Sequence, residues 1–247
     1  MFSLKVIKDL LRTSVRQRRE LGEILSMLPS TRCERRTLCC SMLPEMSLVE
    51  ALSAVSGIAG MHEDMRIELL GRIIYYFFVN PVEIIKCPFL DDRECLIYQK
   101  RFFGCRAYGL WSKDCYTQIS ERSRQGKLFI RKQWQTLGIS LPEKVAGFEV
   151  PYCSDVKSEG SPDINDEVLI TYAQKIEELS GHFSDWNQMF CRMYFNDLGF
   201  LLASLIFGVK ESVSLKFAIV SDIVKTGKRS RLEAAIENVP DIFKEIA

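Results

Sequence analysis

The stretch CPFLDDRECLIYQKRFFGCR, residues 87–106, interrupts a chain that otherwise reads as helix. Cys87, Cys95 and Cys105 are spread through it with aromatic residues between them. Asp91-Asp92 and Gly104 are turn-forming residues, so the two intervening segments can fold back and bring the three thiols together. Residues 92–98 have room for one short strand. The segment is therefore irregular and loop-rich, and the fold class depends on what flanks it.

Upstream, apolar residues recur at helical spacing over 61–79, with Met65, Ile67, Leu69, Leu70, Ile73, Ile74 and Phe77, and Asn80-Pro81 ends the helix. Ser47 followed by Glu50 reads as a capping box opening a helix to about Val55, broken by Gly57 and Gly60. Residues 30–46 form a loop or short turn carrying Cys33, Cys39 and Cys40, and residues 4–27 read as a helix closed by Pro29. Downstream, 114–137 is helical, and a loop from Gly138 to Ser161 carries Cys153. A loop that long is usually functional or a linker. Helices follow over about 161–181, 184–207, 211–225 and 229–246, with caps offered by Ser161-Pro162-Asp163 and Asn165-Asp166. The expected fold is mostly α, a helical domain with an irregular cysteine-cluster segment. Residues 1–160 make a cysteine-cluster region with flanking helices, and 161–247 a helical region packed on it as one compact domain.

The 247 residues carry 33 Lys plus Arg against 32 Asp plus Glu, a net charge of +1. That balance gives no reason to expect a nucleic-acid groove or an anionic membrane surface. The apolar run Leu198 to Val209 has twelve residues, including two Gly and one Ser, where a spanning helix needs about twenty. The N-terminus, broken by Lys5, Lys8 and Arg12, is no secretory signal. We expect a cytoplasmic protein without a membrane span, in which structural disulfides are disfavoured. A protein partner is compatible with the sequence but unspecified by it.

Nine cysteines accompany only two histidines. An odd count cannot pair completely, and many thiols in a reducing compartment leave metal binding, redox chemistry or inert burial. Soft thiolates select zinc or iron–sulfur iron over hard cations, and four complete a tetrahedral zinc site or a [4Fe–4S] cluster. Cys87, Cys95 and Cys105 lead the ligand set, Cys39 or Cys40 can add a fourth thiolate, and Cys33 and Cys153 are further candidates. Adjacent side chains point apart, so Cys39 and Cys40 either serve two metals or leave one buried. Arg101 and Arg106 can offset the charge of a thiolate centre, as can Arg32, Arg35 and Arg36. Cys115 and Cys191 read as packing residues.

The motifs carry a resemblance. Residues 87–90 match C-P-x-L, 95–98 match C-x-I-Y, and 101–106 match R-P-x-x-C-R with Phe102 in place of Pro. Cys33, Cys39 and Cys40 keep the register of an upstream C-x2-C-x2-C-C run, with Arg36 replacing its second cysteine. This set resembles the YkgJ-like cysteine-cluster family, a zinc- or iron-chelating domain. The resemblance implies a metal centre held by cysteines and does not fix a reaction. The surplus of thiols favours an iron–sulfur cluster, with zinc the alternative.

Two other classes stay open. Flagellin lysine methylases contain a related cysteine-cluster domain, which points to an accessory or catalytic part in protein modification. The chain shows no glycine-rich S-adenosylmethionine loop, no GxGxxG or Walker motif, and no CxxxCxxC spacing of radical enzymes. A metal-free redox sensor would cycle Cys39 and Cys40, or Cys105, through disulfides. His62 reads as a solvated cap, His182 as a residue just past a helix end, and Tyr75-Tyr76-Phe77-Phe78 as core packing. Asn196 and Asp197 are lone polar residues in an apolar helix and are expected to contact the cysteine loop.

Overall fold

The computed structural model describes residues 1–32, 37–154, 156–159, 164–237 and 239–246. Its elements follow in chain order. The N-terminal part has α1 (Leu4–Thr13), α2 (Val15–Ser26), β1 (Ser30–Arg32), α3 (Leu48–Ala59) and α4 (Glu63–Val79). The cysteine segment contributes β2 (Leu90–Asp91), β3 (Glu94–Cys95) and α5 (Phe103–Arg106). Beyond it lie α6 (Lys113–Thr136), α7 (Glu143–Ala146) and β4 (Lys157–Glu159). Then come α8 (Asp166–Gly181), α9 (Ser184–Tyr194), α10 (Leu198–Phe207), α11 (Val209–Thr226), α12 (Ser230–Glu237) and α13 (Phe243–Ile246). The fold is mostly α, as the periodicity predicts.

The core forms where α4 meets α10, α11 and α12, and where α3 lies against α1, α2 and α8. Apolar spacing along α4 explains this. Leu69, Leu70, Ile73, Ile74, Phe77 and Phe78 are all buried, and removing such area from water is the main stabilising term. Tyr76 is buried as well, so the aromatic run is largely core. Phe77 stacks on Phe200 of α10, with ring centroids 5.4 Å apart. The approach favours a glycine, because a Cβ on Gly199 would press on Phe77 Cβ at 3.2 Å and Asp197 Oδ1 at 3.1 Å. A buried Arg66 on α4 pairs with Asp241 near the C-terminus, fastening the last segment to this core.

Several boundaries differ from the expected ones. The first helix is split at Ser14, a single residue whose N–H still donates to the Leu10 carbonyl at 2.8 Å. The third helix runs through Gly57 to Ala59, since burial of Val55 and Ile58 outweighs the modest cost of glycine. The largest departure is at 195–197. Residues 184–207 are two helices bent by 92°. Phe195 and Asn196 adopt φ of 54° and 55°, and Asp197 then caps α10 by accepting from Gly199 N at 2.7 Å and Phe200 N at 3.2 Å. The polar pair is therefore a helix break and a cap rather than buried polarity inside one helix.

Residues 138–161 are not all loop, for they hold α7 and β4, and β4 pairs antiparallel with β1 across the chain. Local pattern gives no hint of so distant a pairing. Asn165 caps α8 through Val168 N at 3.0 Å, while Ser161, Pro162 and Asp163 lie outside the described residues. Residues 229–246 divide into α12 and α13. Among the described residues no single helix is long and apolar enough to cross a membrane, and α9 with α10 would pass only as a bent pair.

Candidate metal centre

Three pieces of chain build the site. A short 3-10 turn, Leu38–Cys40, presents Cys39 and Cys40. The hairpin of β2 and β3 places Leu90 opposite Cys95, and Asp92 closes its turn with φ 47°, a conformation Asp tolerates. Finally, α5 carries Cys105. Cys87 N donates to the Cys40 carbonyl at 2.8 Å, so the first piece is tied directly to the second. Leu96 N donates to the Phe89 carbonyl at 2.9 Å and extends the hairpin.

A buried carboxylate positions the third piece. Glu50 completes the expected capping box, accepting from Ser47 N at 2.9 Å. Its other oxygen accepts from Phe103 N at 2.6 Å, at the start of α5. Burial raises the Glu50 pKa, opposed by the bonds from Phe103 and Ser47. Arg106 donates to the Leu25 carbonyl of α2 at 2.9 Å, anchoring the far end of the same short helix. That contact corrects the expectation that Arg106 would offset charge at the thiols. Arg101 instead lies over the Tyr98 ring, 3.9 Å from its centroid, where its field acts on Cys39, Cys95 and Cys105.

Cys39, Cys40, Cys87, Cys95 and Cys105 line one cavity of about 320 Å³. Arg93, Glu94, Tyr98 and Arg101 complete its polar wall, and Phe89 and Phe102 its apolar floor. Cys87 is buried and the other four thiols are half-buried. Burial pushes the Cys87 thiol up to about 12 and Cys105 well above the usual thiol range, and it raises Cys95. The Cys39 and Cys40 sulfurs lie 3.7 Å apart. Their hydrogen bond lowers Cys39 to about 7 and raises Cys40.

The remaining predicted residues are placed elsewhere or not at all. Cys153 is buried but does not line this cavity. Cys33, Arg35 and Arg36 lie outside the described residues. Cys115 is half-buried and Cys191 exposed, so neither is core packing. The reason for Cys191 is rotational, because Phe190 and Tyr194 take the inward face of α9. His62 and His182 are remote from the cavity: His62 is solvated at the start of α4, and His182 follows α8.

The donor chemistry fits zinc or an iron–sulfur cluster, since the gathered ligands are soft sulfurs and include no histidine. Among the described residues no three His, Cys, Asp or Glu side chains stand in a metal-holding arrangement. The thiols surround a space rather than meet at a point, and binding has to draw them inward and displace their protons. Asn196, expected near this loop, accepts from Met46 N at 3.2 Å through its carbonyl, six residues beyond Cys40. The sequence marked Glu50 only as a helix-capping residue and did not single out Arg72. Arg72 reaches from α4 to the Leu90 carbonyl of the hairpin. A capping-box glutamate signals one backbone bond, and nothing local signals the second. No protein-family model, curated protein or solved structure matches the chain.

Proposed function

We propose that this is a metal-binding cysteine-cluster protein of the YkgJ-like kind, working in a reducing compartment such as the cytoplasm. One observation carries the proposal: five cysteines from three separate segments line a single cavity. Cys87, Cys95 and Cys105 are the constant ligands, and Cys39 or Cys40 supplies the fourth thiolate. An iron–sulfur cluster is preferred, because the thiols are spread around a cavity of about 320 Å³ with aromatic lining, room for a multi-iron core rather than a closed single-ion knot. When bound, the group supplies electron transfer or a structural clasp between the three segments. Glu50 and Arg106 hold Cys105 in place, and Arg101 provides positive charge beside the thiolates.

The test is anaerobic purification followed by iron, zinc and sulfide analysis with visible spectroscopy. Iron with matching sulfide and a coloured protein is expected. Cys87→Ser, Cys95→Ser and Cys105→Ser should each lose the metal, whereas Cys153→Ser, Cys115→Ser and Cys191→Ser should keep it. A colourless protein with one zinc would select the zinc form, and a protein with no metal would overturn the proposal. The 3.7 Å approach of Cys39 and Cys40 supports a second reading, a metal-free thiol redox sensor. Reversible oxidation of metal-free protein, with the fold retained, would favour that reading.

A further inference from the structure

A second cavity, of about 640 Å³, opens between α4, α6, α10 and α11, within the size range of small-molecule sites. Phe77, Trp134, Phe148, Phe200 and Phe217 form its walls. Its mouth is rimmed by Phe129, Ile130, Leu137 and Val213, each more than half exposed. Large exposed apolar residues gathered around one opening mark an interaction site more strongly than the same residues scattered singly. The helix that supplies Phe129 and Ile130, α6, has no fully buried side chain.

The cavity holds an ammonium with donors to spare. Lys216 of α11 donates to Asn80 Oδ1 at 3.3 Å and lies over the Phe77 ring, 4.0 Å from its centroid. Among the described residues no carboxylate comes within 4.0 Å of its ammonium. The other charged groups facing the cavity are mostly engaged. Asp197 Oδ1 is held by two backbone N–H groups of α10, Glu83 pairs with Arg229, and Lys127 donates to the Phe148 carbonyl. Tyr76 Oη accepts from Leu43 N at 3.0 Å. Glu45 stands exposed on the loop before α3.

We propose that this cavity binds a small apolar monocarboxylate, its hydrocarbon body against the aromatic walls and its carboxylate on Lys216. The match is one of charge and shape: the Lys216 ammonium has N–H groups to spare in a largely apolar chamber, while the other cation, Lys127, is held by the Phe148 carbonyl. Burial supports it by lowering the Lys216 pKa to about 8, with Asp197 opposing, because an ammonium without a counter-ion is disfavoured out of water. A bound carboxylate supplies that counter-ion. Affinity is therefore greatest below pH about 8, falls above it as Lys216 loses its proton, and falls again only where the ligand's own carboxylate protonates, since protonation of Glu45 removes a repelling charge. No metal in the cysteine cavity is required, so loss of metal and loss of ligand are separate outcomes.

Dodecanoate, dodecanol and dodecylamine, each below its micelle concentration, are titrated into the full chain and followed by calorimetry and by tryptophan fluorescence. Trp134 lines the cavity, whereas Trp111 and Trp186 do not. Dodecanoate should bind best and change the emission, and Trp134→Phe should remove that change while heat of binding remains. Lys216→Met should weaken dodecanoate about tenfold or more, the size of a lost charge-assisted hydrogen bond, and leave dodecanol within about threefold. Retained dodecanol binding shows that the variant is folded. Preference for dodecylamine would overturn the proposal in favour of an amine at Glu45 and Asp197. Failure of all three to bind, or a dimer that hides Trp134, would overturn it too.

Discussion

The cysteine segment and the α4–α10 core lie against each other, and different forces hold them. Between α4 and α10 the contacts are apolar and continuous, with Phe77 on Phe200 and Phe78 near Phe207. Stability there comes from area removed from water and shared among many side chains. Around the cysteines Phe89, Ile97 and Phe102 are buried in the same core, but the ties that fix the separate segments to one another are polar: Cys87 N to Cys40, Phe103 N to Glu50, Arg106 to Leu25, Arg72 to Leu90. Such a segment can be positioned accurately and still be loosened by losing one group.

The sharpest way to break that contrast is to cut into each side. Phe78→Ala, in the fully buried core, should cost about 3–5 kcal/mol by denaturant unfolding, with or without metal. A much smaller cost would mean that the core is not where stability resides. Glu50→Ala should cost less, about 1–3 kcal/mol, from the unsatisfied N–H groups of Phe103 and Ser47. Its distinctive effect should be local, with Cys105 reacting faster with a thiol reagent. If Cys105 reactivity stays unchanged, Glu50 does not position that helix.

Smaller effects sharpen the same division. Chelation of bound metal should speed amide exchange at Cys87, Leu96 and Cys105 about tenfold while α4 stays protected. Equal acceleration in α4 would merge the two regions into one cooperative unit. Asp197→Ala should remove the cap of α10 and cost about 1 kcal/mol, without changing metal content. Last, in metal-free protein the alkylation rate of Cys39 should rise through pH about 7 and level off above it. Cys40→Ala removes the hydrogen bond that chiefly lowers this pKa, so the midpoint should move upward. A midpoint that does not move would show that the neighbouring thiol is not the cause.

Helical periodicity located α4, α6 and α11 within a few residues, because each places a stripe of apolar or a run of helix-favouring residues at a period the backbone itself imposes. The capping box at Ser47 and Glu50 was legible for the same reason, being a contact between neighbours in the chain. The break at 195–197 was not, since Asn196 and Asp197 can be read either as polar residues within a helix or as its end. Only the packing of Phe200 onto Phe77, which needs α10 to turn by 92°, decides between them.

By itself, the sequence determined a mostly helical chain, a turn-rich cysteine segment and a set of thiols suited to soft metals. These follow from side-chain chemistry and short-range geometry. Tertiary structure alone decided which thiols share a cavity: Cys39 and Cys40 join Cys87, Cys95 and Cys105, and Cys153 does not. It also gave Glu50 its second bond, turned Arg106 toward α2, and set Lys216, with no carboxylate within 4.0 Å among the described residues, in an aromatic chamber. Each of these depends on residues far apart in the chain, and their meeting is set by how the apolar faces of distant helices pack.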